Sequence, residues 1–205
     1  RMIEDKKDSY APTDLLAQIE FTRYRGGTCH GNYLDRIHYL AEWFFDNEAR
    51  GTCDDITRGL NGAQRVTGRQ CREMTVLWKS YRYLKNNPEL RPLMAKSEAD
   101  VSALPVYYIP KSKVAAIEHK LQDGDIIGIV TNQQGGFCSH VGIAIRTDDG
   151  VLRLMHASSN YKRVVIDKSI SGYLNSFKYH AGIIPGRPLE VAKTVRSDDT
   201  YHATL

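Results

Sequence analysis

The stretch Ser139-His140-Val141-Gly142-Ile143-Ala144-Ile145, followed by Thr147-Asp148-Asp149-Gly150 and then Met155-His156-Ala157-Ser158-Ser159, decides how this chain folds. The first segment alternates with the period of a β-strand: Val141, Ile143 and Ile145 share one face, His140, Gly142 and Ala144 the other. Two aspartates followed by glycine signal a hairpin, with Gly150 where a three-residue loop needs a left-handed residue. If Asp148 to Gly150 form the loop, Thr147 pairs with Val151, Ile143 with Met155 and Gly142 with His156. His156 then shares a face with His140, one diagonal step away and within side-chain reach. A two-residue loop would send the imidazoles to opposite faces. The three-residue loop is preferred because it also sets Ile143 opposite Met155 on the apolar face.

Working outward, Gln122-Asp123-Gly124-Asp125 turns into an apolar strand, Ile126 to Thr131, and further strands are expected over Arg163 to Asp167 and near Ala181 to Pro185. The Gly-rich loop Gln133 to Phe137, next to His140, reads either as a plain turn or as a mobile lip of a pocket. Upstream the period changes to that of helices. One is expected over Thr13 to Tyr24, with Thr13 as N-cap and Leu15, Leu16 and Ile19 as a buried stripe. A second should run from Leu34 to Glu48, carrying Arg36 and His38, and shorter ones over 88–96 and 112–121. Cys53 to Arg72, broken by Gly59, Gly62 and Gly68, reads as irregular structure or short strands. Helices first and a meander of strands afterwards give an α+β fold.

Length and composition bound what such a chain can be. Its 205 residues suit one compact domain, and 41% hydrophobic and 25% charged residues are ordinary globular values. No apolar run approaches the roughly 20 residues of a membrane span. The formal charge of +4 is mild; Arg65, Arg69 and Arg72 read as a solvated patch, and no nucleic-acid motif accompanies them. Cys29, Cys53, Cys71 and Cys138 form no Cys-x-x-Cys pair, and Cys53 and Cys71 read as small buried hydrophobes. The chain opens on Arg1, so any targeting segment is expected upstream of it.

Two imidazoles on adjacent strands suit the base and the orienting residue of a cysteine hydrolase, because a thiol is a poor nucleophile until a neighbouring base takes its proton. Gly124-Asp125-Ile126-Ile127, Ser139-His140-Val141-Gly142-Ile143 and His156-Ala157-Ser158 resemble the barrel half of the NlpC-type papain-like cell-wall cysteine peptidases. Arg23-Tyr24-Arg25, Asp35-Arg36-Ile37-His38-Tyr39 with Trp43, and Tyr108-Ile109-Pro110 resemble one branch of that superfamily, described as N-acetylmuramoyl-L-alanine amidase-like. The ordered match runs from about Asp14 to Pro188.

The resemblance implies a papain-like α+β domain over residues 1–188, N-terminally incomplete, with N-terminal helices packed on a C-terminal antiparallel β-barrel or sheet, and a flexible tail over 189–205. It implies hydrolysis of the amide between N-acetylmuramic acid and L-alanine in peptidoglycan fragments, anhydro-muropeptides among them, by an extracytoplasmic bacterial protein that needs no cofactor and is expected to be a monomer. His140 becomes the general base and His156 the residue that orients it. The family's nucleophilic cysteine lies upstream of the Arg-Tyr-Arg motif, and no residue of this sequence matches it. An inactive chain is therefore expected, unless Cys138 or Cys29 substitutes.

Arg36 and His38 are substrate-site candidates, Arg36 for a peptide carboxylate, which a guanidinium binds in bidentate fashion. Ser139 and Ser158 can tune hydrogen bonding around the histidines, and the hydroxyl of Tyr107 or Tyr108 can line the groove. Three rival readings stand beside these. The histidines can be satisfied structural residues; His140, His156, Cys138 and His38 can hold zinc, although no helical His-x-x-x-His is present; and the domain can be a muropeptide-binding module without turnover.

Overall fold

The computed structural model describes residues 12–190. In chain order it contains α1 (Pro12–Arg23), α2 (Leu40–Ala49), β1 (Cys53–Asp55), β2 (Gln64–Arg65), α3 (Glu73–Val76), α4 (Arg82–Asn86), α5 (Leu90–Ala103), β3 (Tyr107–Pro110), α6 (Lys111–Ile117), β4 (Ile126–Thr131), β5 (Cys138–Arg146), β6 (Leu152–Ser158), β7 (Arg163–Ser169), α7 (Ile170–Asn175) and β8 (His180–Pro188). The strands form one open antiparallel sheet in the order β2-β3-β8-β4-β5-β6-β7, with β1 beside β8. Helices and an antiparallel sheet agree with the α+β expectation.

The hairpin has the expected register. Ile143 pairs with Met155 and Ala144 with Leu154, the Thr147 amide donates to the Val151 carbonyl, and Gly150 takes a φ of +78°. The faces, however, are reversed from what their greasiness suggests. Val141 and Ile143 are exposed, whereas Gly142, Ala144, Leu154 and His156 face inward. Crowding explains this: a Cβ at Gly142 would stand 2.6 Å from Leu154 Cδ1, so β5 can present only its small residues to the core.

Strands β4 and β8 are covered on both sides. Ile127, Ile129 and Ile183 pack with Val114 and Ile117 of α6 and Ile170 and Leu174 of α7, while Val130 and Ile184 pack with Ala41 and Phe44 of α2 and Val101 of α5. Strands β5 to β7 have a cover on the α7 side, and this is the side that receives the histidines.

Several expected elements shift. Helix α1 begins at Pro12 rather than after a Thr13 cap, and Leu15, Leu16 and Ile19 are exposed. The helix is held at its C-terminal turn, where Asn47 Nδ2 donates to the Thr22 carbonyl, Arg50 to that of Phe21, and the Arg50 guanidinium covers the Phe21 ring, while Leu15, Leu16 and Ile19 stay exposed. The helix expected from Leu34 begins at Leu40. Asn32 caps a short 3-10 turn, Tyr33–Asp35, and the Asp35 carboxylate accepts the Asn32 amide, closing the turn before Arg36 leaves it in extended conformation (ψ 134°). Helix α5 runs on to Ala103, and α7 was not foreseen. Strand β8 extends to Pro188 and the Leu189 amide donates to the Thr52 carbonyl; the expected tail beyond 190 lies outside the described residues.

Candidate active site

Imidazoles, a carboxylate and a tyrosine meet on the inner side of β5 to β7. His140 Nε2 lies 2.8 Å from His156 Nδ1, with the rings edge to face. His156 is 6% exposed, and its Nε2 is buried 3.6 Å from Asp167 Oδ2. Tyr173, delivered by α7, packs its ring 4.9 Å from that of His156 and 6.3 Å from that of His140. Tyr173 also packs, with tilted rings, against His180 and Phe177. Burial and the neighbouring His156 lower the pKa of His140 below the ordinary histidine value, which favours its neutral form. His180 is pushed down to about 4 by burial, Lys111 and His140.

His140 opens on a cleft of about 510 Å³ between β5 and the segment that leads into α2. Ser139 and His140 line one wall; Arg36, His38, Tyr33 and Glu73 line the other. Arg36 and His38 thus reach the same cleft because they are two apart on an extended segment, not on a helix. His38 Nε2 faces the Tyr33 carbonyl at 3.2 Å, and burial, with Arg36 nearby, pushes its pKa down to about 4. Glu73 accepts from the Tyr81 hydroxyl at 2.9 Å.

This far wall is braced by buried polar groups. Glu98, 2% exposed, accepts the Tyr39 hydroxyl at 2.5 Å and the Met74 and Thr75 amides at 2.8 and 3.1 Å, so it caps the first turn of α3 from across the core. Arg25 joins the Leu34 carbonyl, Glu42 and Ser97. The Gln133 to Phe137 loop is pinned in the same way: Arg69 donates to the Gln133 and Gly136 carbonyls, and the Arg72 and Glu73 amides to that of Gly135. The loop is thus tied to the segment before α3, and Arg69, half-exposed, bonds to it.

The remaining candidates fall elsewhere. Tyr107 does not line the cleft; it lies under Arg58 on β3, opposite Arg65. Tyr108 packs among the apolar residues near α2. Ser158 is buried and accepts the Tyr161 amide, closing the turn after β6. Burial pushes the thiols of Cys53, Cys71 and Cys138 up to about 12. Cys71 and Cys138 lie at the floor of the cleft, where thiols of that acidity stay protonated. Cys29 is exposed in the loop after α1, with its amide on Glu20, outside the residues lining the cleft. Among the described residues no group of three or more His, Cys, Asp and Glu is placed to hold a metal ion.

The family described as N-acetylmuramoyl-L-alanine amidase-like matches residues 3–183. The chain belongs to this family. An N-acetylmuramoyl-L-alanine amidase of Bacteroides uniformis superimposes with a TM-score of 0.81 at 31% identity, over 91% of this chain and 78% of that one. A Bacteroides fragilis protein, whose name is that of a candidate xylanase, superimposes with a TM-score of 0.79 at 33% identity, over 89% and 79% of the two chains. A Legionella pneumophila protein at 24% identity shares the fold with a TM-score of 0.60, over 83% and 67%. No protein with a curated description matches the chain.

Within this amidase-like chain, the residues that sequence reasoning missed are Asp167, Tyr173 and Glu98. Asp167 carries a signal, since it alternates in phase with Val165, which the register sets opposite His156. Glu98 carries none, because its function as a cap depends on a helix 25 residues earlier in sequence.

Proposed function

We propose that this domain carries the hydrolytic site of a cell-wall amidase that cleaves the bond between N-acetylmuramic acid and L-alanine in peptidoglycan fragments, anhydro-muropeptides among them. The observation that supports it best is the 2.8 Å pair of His140 and His156, one imidazole lining a cleft and the other buried behind it. In this reading His140 Nε2 is bonded to His156, which leaves Nδ1 for the substrate side. Nδ1 takes the proton of a thiol as sulfur attacks the amide carbonyl. It returns that proton to the departing nitrogen of L-alanine as the C–N bond breaks, and water then hydrolyses the thioester. Arg36 suits a stem-peptide carboxylate, while His38 and Ser139 suit polar contacts with its backbone.

None of the four cysteines suits the nucleophile: Cys53 and Cys71 are buried, the thiol of half-buried Cys138 is, like theirs, pushed up to about 12, and Cys29 lies outside the cleft. In this reading the thiol is not one of these four, and the chain by itself acts as a muropeptide-binding module. A glycosidase needs two carboxylates flanking the scissile bond. Glu73 is the acidic residue lining this cleft, bonded to Tyr81, so the xylanase name of one neighbour finds little support here. The family's chemistry favours an extracytoplasmic bacterial setting, and no helix among the described residues is long and apolar enough to cross a membrane.

The test is incubation of the chain with a purified anhydro-muropeptide, with calorimetry for binding and chromatography for released stem peptide. Saturable binding without turnover is expected, weakened roughly tenfold in Arg36→Ala. Turnover would overturn the assignment of the nucleophile; absence of binding would overturn the substrate class.

A further inference from the structure

We infer that Asp167 is a positioning residue that sets the tautomers of both imidazoles, so that His140 presents an unprotonated Nδ1 to the cleft. The inference rests on the amidase reading for its catalytic meaning, but not for its structural content.

When both rings are neutral, the 2.8 Å contact between His140 Nε2 and His156 Nδ1 holds one proton between them. If it belongs to His140, then His140 Nδ1 is a base and His156 carries its own proton on Nε2. If it belongs to His156, then His140 carries its proton on Nδ1 and cannot accept another. The two arrangements differ in what His156 Nε2 shows to its surroundings, an N–H in the first and a lone pair in the second.

Those surroundings are decided by Asp167. His156 Nε2 is buried without a hydrogen-bond partner, and Asp167 Oδ2 is 3.6 Å away. That is too long for a hydrogen bond, yet a carboxylate at this range in a poorly solvated site attracts an N–H dipole and repels a lone pair. The carboxylate is itself aimed: Asp167 Oδ1 accepts the Lys168 amide at 2.7 Å, which turns Oδ2 toward the imidazole. A β-bulge supports the placement. Arg153 pairs with Ser169 but Met155 with Ile166, so Asp167 and Lys168 together face the single residue Leu154, and the ladder is interrupted next to His156. Bulges of this kind re-aim side chains beside functional sites. The other ring against His156, that of Tyr173, packs by its face and edge, and no hydrogen bond joins it to Nε2.

The experiment is long-range ¹H–¹⁵N correlation on the chain with ¹⁵N-labelled histidine at pH 7.5, for the parent, Asp167→Asn and Asp167→Ala, with assignment by His140→Gln and His156→Gln. In the parent, both His140 and His156 are expected as Nε2–H tautomers, with both Nδ1 atoms unprotonated. In Asp167→Ala a substantial fraction of both rings should move to the Nδ1–H form, and Asp167→Asn, which keeps the Lys168 bond but not the charge, should show the same shift. Backbone amide spectra verify that each variant is folded. Tautomers unchanged in both variants, or Nδ1–H rings in the parent, would overturn the inference. Failure of the chain to bind muropeptide would leave these spectra as they are, so the two readings fail separately.

Discussion

On one side of the cleft His140 sits on β5, paired with Ile129 of β4 inside the sheet, and its side chain's direction follows from register. On the other, Arg36 and His38 sit on an extended segment held by side chains that reach across the molecule: Asn32 and Asp35 on the turn before it, Arg25 on the Leu34 carbonyl, Glu98 on the amides of α3. A ladder shares its load among many equivalent bonds. The far wall concentrates it in a few polar side chains, of which Glu98 is buried and leaves several partners without an acceptor when removed. Single substitutions should therefore separate the walls.

The largest effect is expected for Glu98→Ala, which removes the carboxylate acceptor of the buried Met74 amide, the half-buried Thr75 amide and the Tyr39 hydroxyl. A loss of about 4 kcal/mol in urea unfolding is expected, with Glu98→Gln recovering part of it. A loss below about 1 kcal/mol would show that the far wall does not depend on this cap. In the ladder the comparable lesion is steric. Gly142→Ala would set a Cβ 2.8 Å from the Met155 carbonyl oxygen as well as against Leu154, and should cost about 2 kcal/mol while displacing the His140 and His156 resonances.

A third effect depends on pH. His38 titrates at about 4 in the folded chain, below the ordinary 6.5, because burial and Arg36 disfavour its charged form. The unfolded chain therefore takes up this proton first. Stability contributed by His38 is complete above pH 6.5 and is lost as the pH falls from there toward 4. After allowance for partial exposure of the ring, about 1.5 kcal/mol should disappear over this window. His38→Gln should flatten the urea midpoint between pH 7 and 4.5 by that amount; an unaltered pH profile would mean that the ring is solvated. The smallest effect is expected on the outer face of the ladder, where Ile143→Thr, at a residue 40% exposed, should stay within about 0.5 kcal/mol of the parent.

The same contrast explains what could be read from the sequence. Strand alternation and the Asp-Asp-Gly turn are local signals, and together they brought His140 and His156 to one face with the observed pairing. Which face turned inward was not legible from greasiness, since it depends on Leu154 and α7 crowding Gly142 and Ala144. The apolar spacing from Leu34 mimicked a helix, but the Asn32 and Asp35 cap ended its first turn early and placed Arg36 and His38 on an extended segment instead. Leu15, Leu16 and Ile19 had helical spacing and formed a helix, yet spacing alone does not supply a surface to bury them. Glu98 acts through contacts distant in sequence and has no motif, whereas strand alternation places Asp167 in phase with Val165, opposite His156.

The central claim is that the cleft bordered by His140 and His38 receives the lactyl-L-alanine end of a cell-wall fragment. It is tested most directly by following the imidazole C–H resonances of the chain during parallel titrations with an N-acetylmuramoyl-L-alanyl peptide and with xylotriose. The account predicts saturable shifts of His38 and His140 with the muramoyl peptide and none with xylotriose. Shifts with xylotriose alone would contradict it.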